Sequence, residues 1–176
     1  GESMFHRRKD GTVFPVETTA AVLKMEEGSA RIVSVRDITG RIAAERENLW
    51  KTAFLEALVE ATADGIMVVD DQGKRILANH NYMDLREVPQ HIREDSDDAP
   101  LLKHAMEMAV NPEQFVGKIR YLYDHPDETC RDEVELRSGV TVERHSSPVL
   151  GKDGKYYGRI WTIRDITEQK RMLREL

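Results

Sequence analysis

The chain of 176 residues holds one cysteine, Cys130, so no disulfide can form within it. A reducing compartment suits such a chain, and the expected location is cytoplasmic, with a full-length protein free to be membrane-tethered. No apolar run approaches the ~18 residues of a spanning helix, and no basic-apolar-small leader opens the sequence. Gly1 stands where an initiating Met would, which reads as a piece of something longer. Lys and Arg number 26 against 32 Asp and Glu, giving a net charge of -6 with no basic stripe, which argues against a nucleic-acid surface. No GxSxG, HExxH or phosphate-loop pattern occurs, so no catalytic residue is nominated and the segment is read as non-catalytic. The six His are scattered without metal-ligand spacing to Cys130. The acidic run "EDSDD" at Glu94–Asp98 lacks the Gly and closing Glu of a calcium loop, so no metal is expected.

What the chain does contain is an echo. "SVRDITGRIA" at Ser34–Ala43 returns as "TIRDITEQKR" at Thr162–Arg171. A constant offset of 128 also pairs Gly11 with Gly139, Arg31 with Arg159 and Ile32 with Ile160, without a gap. Two occurrences are too few for a solenoid and read as two copies of one domain type, the first cut short. Around the first copy, "TVFPVETTAAVLKM" and "ARIVSVRDI" are β-type runs with turns at Lys9-Asp10-Gly11 and Glu26-Glu27-Gly28, an antiparallel meander of two or three strands. Such a piece leaves an apolar face uncovered.

Residues 40–63 switch to a helix rich in Ala, Glu and Leu, whose apolar positions, among them Leu49, Trp50, Phe54 and Leu58, cover more than one stripe. That width suits burial against another body. Beyond it, Ile66–Val69 and Arg75–Ala78 read as a hairpin about Asp71-Gln72-Gly73. Short helices broken at Pro89, Pro100, Pro112 and Pro126 follow, then three strands turning at Ser138-Gly139 and Lys152-Asp153-Gly154. The expected fold class is α+β with a five-stranded antiparallel sheet.

The segments "ATADGIMVVDDQGKRILANHNYMDL" and "VGKDGKYYGRIWTIRDITEQKR", in this order, resemble the PAS sensory domain, and "FVGKIRYLYDHPDETCRDEVELRSG" resembles a subgroup found in bacterial histidine kinases and cyclic-dinucleotide enzymes such as diguanylate cyclases. The likeness divides the chain into 1–39, the last strands of one PAS domain; 40–63, a connecting helix; 64–167, a complete domain; and 168–176, the start of an output helix. It implies a pocket between the sheet and the short helices, and a helix after the last strand that carries the signal.

Asp165 is expected to cap that helix, with Glu168 completing a capping box; Asp37 does the same for the first copy, where Gly40 replaces the acidic partner. Arg164, Thr167 and Thr39 join the two Asp as relay candidates. Cofactors are not expected: Cys130 lies outside the "NCRFLQ" context of flavin-binding relatives and shares strand parity with Val134 and Leu136, while His104 and His125 lack the setting of a haem ligand. An unidentified small ligand stays open, with Tyr123, Arg144, His145 and Ser146 as pocket candidates; which parity of the strand faces inward is undecided. Two roles follow: a ligand-sensing relay module, or a ligand-free dimerisation module passing on a signal from upstream. The expected partner is a second copy, through the 40–63 helix and sheet surfaces, with exchange of the N-terminal strands as one form of it; the uncovered half-sheet is expected to pack on the other domain or on that copy.

Overall fold

The computed structural model describes residues 2–95, 97 and 99–175; Ser96 and Asp98 of the acidic run lie outside them. The chain divides into two units, Gly1–Leu55 and Glu56–Leu176, and each is taken by itself.

The first unit is a three-stranded antiparallel sheet, β1 (Glu2–Arg7), β2 (Val13–Met25) and β3 (Gly28–Asp37), in that spatial order. Gly11, at φ 89°, closes the first turn in a conformation that costs a side chain strain. Val16 and Ile38 are buried, but Phe5, Val22, Met25, Ile32 and Val33 remain exposed within the single chain. Helix α1 (Thr39–Glu60) follows; none of its residues is buried, and Trp50 stacks on Phe54 at 5.3 Å between ring centroids. The burial expected for this helix is not formed within the unit.

The second unit is α+β. Its sheet, β4 (Gly65–Asp70), β5 (Arg75–Ala78), β6 (Cys130–Glu135), β7 (Thr141–Leu150) and β8 (Tyr156–Asp165), has the antiparallel order β5-β4-β8-β7-β6. Between β5 and β6 run α2 (His80–Leu85), α3 (Gln90–Arg93), α4 (Ala99–Met108) and α5 (Pro112–Asp124), and after β8 comes α6 (Thr167–Arg174). Three of the four prolines stand at helix starts instead of ending helices, Pro89 at the cap position of α3. Pro112 opens α5 behind an Asn111 cap that accepts from Gln114 N, and Pro100 sits in the first turn of α4, where a missing N–H costs nothing.

The core joins Tyr82, Leu101, Ala105 and Phe115 of the helices to Val142 and Ile163 of the sheet. Close approach fixes two glycines. A Cβ on Gly158 would lie 2.0 Å from the Val69 carbonyl, and one on Gly65 2.6 Å from Ile163.

The repeat does not keep its sequence register. Val142 faces Asp165, so a strict offset would put Phe14 opposite Asp37; Val16 stands there instead. The cause is the hairpin end. β2 and β3 pair down to Met25 and Gly28, whereas β7 and β8 part at Leu150 and Tyr156 after a bulge at Val149/Leu150. A slip of two residues leaves every side chain on its original face.

Candidate functional site

A cavity of about 170 Å³ lies between sheet and helices of the second unit. Met67 and Val69 of β4, Arg144 of β7 and Trp161 of β8 line the sheet side. Tyr82 and Arg86 of the α2 segment, Leu101 and Ala105 of α4, and Phe115 and Tyr123 of α5 line the other.

Two arginines in this apolar lining are almost without solvent contact: Arg86 is 1% exposed and Arg144 2%. Burying an unpaired guanidinium costs on the order of several kcal/mol, so their partners decide what the cavity can hold. Arg144 is bidentate to Asp132 on β6, Nε to Oδ1 at 2.9 Å and Nη2 to Oδ2 at 2.6 Å. Its Nη1 has no acceptor. Arg86 has no carboxylate among the described residues, and its Nε and Nη1 are buried without an acceptor; its neighbours are the rings of Tyr82 at 5.2 Å and Phe115 at 5.3 Å. Arg159, 0% exposed, also has a buried Nε without an acceptor, but it differs from both at its terminal nitrogens. Its Nη1 donates to Ser146 Oγ, and its Nη2 reaches carbonyls that include Pro126 at 3.0 Å and Glu128 at 2.9 Å.

The chain invests backbone strain to aim Arg86. α2 ends with Val88 N donating to Met83 O and Glu87 N to Asp84 O, which places Glu87 in the left-handed region at φ 51° where glycine is usual. That costs about 1 kcal/mol. His104 Nε2 holds the Arg86 carbonyl at 2.9 Å.

Both ends of the unit are tied to the cavity wall. At entry, buried Asn79 bonds Val59 O, Thr62 Oγ1 and Asp64 O through Nδ2, and accepts from Ile66 N and Tyr82 N through Oδ1. It thus joins the end of α1 to β4 and to the helix that carries Tyr82. At exit, Asp165 Oδ1 accepts from both the N–H and the hydroxyl of Thr167, and the Thr167 oxygen accepts from Thr141 N at 2.9 Å. The capping box is not formed. α6 begins at Thr167 with Ile166 at the cap position and no side chain capping it, because Asp165 closes an Asx turn two residues on. Asp37 makes the same turn with Thr39 N and Oγ1, at 2.9 and 2.6 Å, and these bonds hold its carboxyl below the usual carboxylate range. Arg8 takes its other oxygen.

The sequence matches the family described as PAS domain over residues 2–40 and 63–168. The chain belongs to the PAS domain family. The PAS domain of BvgS from Bordetella pertussis is 21% identical, with a TM-score of 0.50 over 71% of this chain and 93% of that one, a likeness of fold. A PAS domain from Colwellia psychrerythraea (20% identity, TM-score 0.47, 68% and 98% covered) and a sensor histidine kinase sensor region (20%, 0.48, 88% and 65%) are further matches. No curated protein matches significantly.

Within this PAS fold the pocket candidates separate. Tyr123 and Arg144 reach the cavity. Ser146 points inward but is engaged by Arg159. His145 is a correction: strand alternation buries Val142, Arg144 and Ser146 and puts His145 on the opposite, exposed face. Of the relay candidates, Arg164 makes a bidentate pair with Asp64, both bonds 2.8 Å, which lowers the Asp64 carboxyl below its usual range. Cys130 is buried beside Val69, Leu122 and Trp161, and that burial pushes its thiol up. His104 and His125 serve backbone carbonyls, those of Arg86 and Tyr121. No group of three or more His, Cys, Asp or Glu able to hold a metal occurs among the described residues, and none of their helices is long and apolar enough to cross a membrane. Sequence reasoning missed Arg86 and Asn79. Asn79 carried a usable signal, an Asn directly after a strand and before a helix.

Proposed function

We propose that the second unit is the sensory and relay module of a bacterial signal-transduction protein, non-catalytic itself, in which a small ligand in the cavity biases the helix that follows β8. The observation carrying this reading is continuity. Trp161 lines the cavity on β8, and the same strand ends four residues later at Asp165, whose turn positions α6 and ties it to β7. A ligand acts on an equilibrium only through different contacts in its two states, and a displaced β8 changes the Thr141–Thr167 bond directly. On the entry side, Asn79 offers the equivalent route between α2 and α1. No tightly held cofactor is required.

The second reading, a ligand-free dimerisation module, is favoured by α1. Its Leu49 (71%), Trp50 (63%), Phe54, Leu55 and Leu58 are exposed, which suits a partner helix from a second copy. The exposed face of the β1–β3 sheet offers the same partner a second surface, with strand exchange as one form of it. The two readings are compatible, since a dimer gives the helices something to move against. Native mass spectrometry after partial denaturation tests the first: release of a small molecule in stoichiometric amount is expected from wild type and not from Ala105→Phe, which fills the cavity. A cavity empty in both leaves only the second reading.

A further inference from the structure

We infer that the cavity selects a compact monocarboxylate with a planar apolar body, an aryl carboxylate, and that Arg86 is the residue that anchors its charge. This rests on the ligand-sensing reading above.

Charge balance gives the valence. Two guanidiniums, Arg86 and Arg144, border the cavity, and one carboxylate, Asp132, answers them. One positive charge is left over, so a monoanion neutralises the site and a dianion overshoots. The donors give the chemistry. Arg86 Nε and Nη1, Arg144 Nη1 and Trp161 Nε1 are all buried without an acceptor. A carboxylate is an acceptor-only group with about four lone-pair sites, which matches that set. The rings give the orientation. Both guanidiniums lie against Phe115, at 5.3 and 4.9 Å from its centroid, so the two charges border one aromatic ring of the cavity wall. The rest of the lining is mostly apolar, with Met67, Val69, Leu101 and Ala105 among it, and Tyr82 and Tyr123 complete its aromatic part. The volume gives the size: about 170 Å³ is close to a cavity of about 150 Å³ known to take benzene.

Arg159 shows what a buried arginine looks like when its role is structural. Its Nε, like that of Arg86, is buried without an acceptor, but its terminal nitrogens are met by backbone carbonyls and a hydroxyl. Arg86 has none of these, although the chain holds it in place through the Glu87 turn and the His104 bond.

The test is calorimetric titration of the whole chain, after exhaustive dialysis, with benzoate, with its neutral isostere benzamide, and with acetate. Benzoate is expected to bind about 10- to 100-fold tighter than either. Arg86→Met is expected to abolish that preference while melting no lower than wild type without ligand, since it removes an uncompensated charge. Should Arg86→Met fail to fold, Arg86→Lys keeps the charge, and a preserved preference for benzoate over benzamide at reduced affinity supports the assignment. Equal binding of benzoate and benzamide, or unchanged benzoate affinity in the folded Arg86 variant, overturns the anion assignment and leaves a ligand-binding cavity standing. Binding of none of the three at millimolar concentration overturns the aryl-carboxylate assignment, and the ligand-sensing reading then stands or falls on the mass-spectrometric release.

Discussion

The same Asp-Ile-Thr turn is built twice, against different backgrounds. In the second unit the turn closes a sheet with a covered core, and the Thr167 oxygen reaches across to Thr141 N. In the first it closes a sheet that buries Val16 but leaves Phe5, Val22 and Ile32 exposed, and Arg8 holds Asp37 from the side. The turn is therefore a local device, fixed by an Asp and a Thr two residues apart. Whether it reports on anything depends on what lies behind it. In the second unit the strand leading to the turn also lines the cavity between sheet and helices.

The largest separation between the units is expected from glycine. Gly158→Ala drives a Cβ into the Val69 carbonyl and should destabilise the second unit by more than about 3 kcal/mol in urea unfolding. Gly11→Ala, at φ 89° with open space around it, should cost about 1 kcal/mol. Equal costs would mean that the two sheets are alike in packing. Next comes Asn79→Ala. It leaves the amides of Ile66 and Tyr82 without their acceptor and is expected to cost about 3 kcal/mol, with faster amide exchange at Ile66 and Tyr82.

Smaller still is the pair Thr167→Val and Thr39→Val. The first strips an acceptor from Thr141 N and should cost about 1 kcal/mol, the second distinctly less, as read by the two unfolding transitions. The smallest effect is electrostatic. Asp64 has a depressed carboxyl because Arg164 donates to it, so its contribution exists above the unfolded Asp value of about 3.9 and fades as pH falls through the lower folded value. The pair is partly exposed, so Asp64→Asn should cost only about 0.5 kcal/mol at neutral pH and nothing in strong acid.

Much of the fold was readable in the chain because turns write themselves in Asp and Gly. The hairpin about Gly73, the turns at Gly139 and Gly154 and the five-strand sheet all follow from such signals. The prolines misled where Pro100 and Pro112 began helices. The cavity was harder for a physical reason. β7 buries Arg144 and Ser146 as well as Val142, so polar residues stand on both faces and alternation of hydrophobicity loses its meaning. Arg86 sits in "DLREV", which reads as a solvated helix end. It is buried between the Tyr82 and Phe115 rings, next to the strained turn at Glu87. The capping box failed for a related reason, since an Asp before a helix can cap it or close an Asx turn, and sequence spacing fits both.

Amide hydrogen exchange across residues 161–171, with and without saturating benzoate, in wild type and in Thr167→Val, measures most directly whether the cavity drives the exit helix. Wild type should change its exchange at Ile166 and Lys170, whose amides bond Thr141 O and Ile166 O, and Thr167→Val should lose most of that change while still binding benzoate. Protection confined to the cavity wall in both proteins, with α6 unaffected, would contradict the coupling.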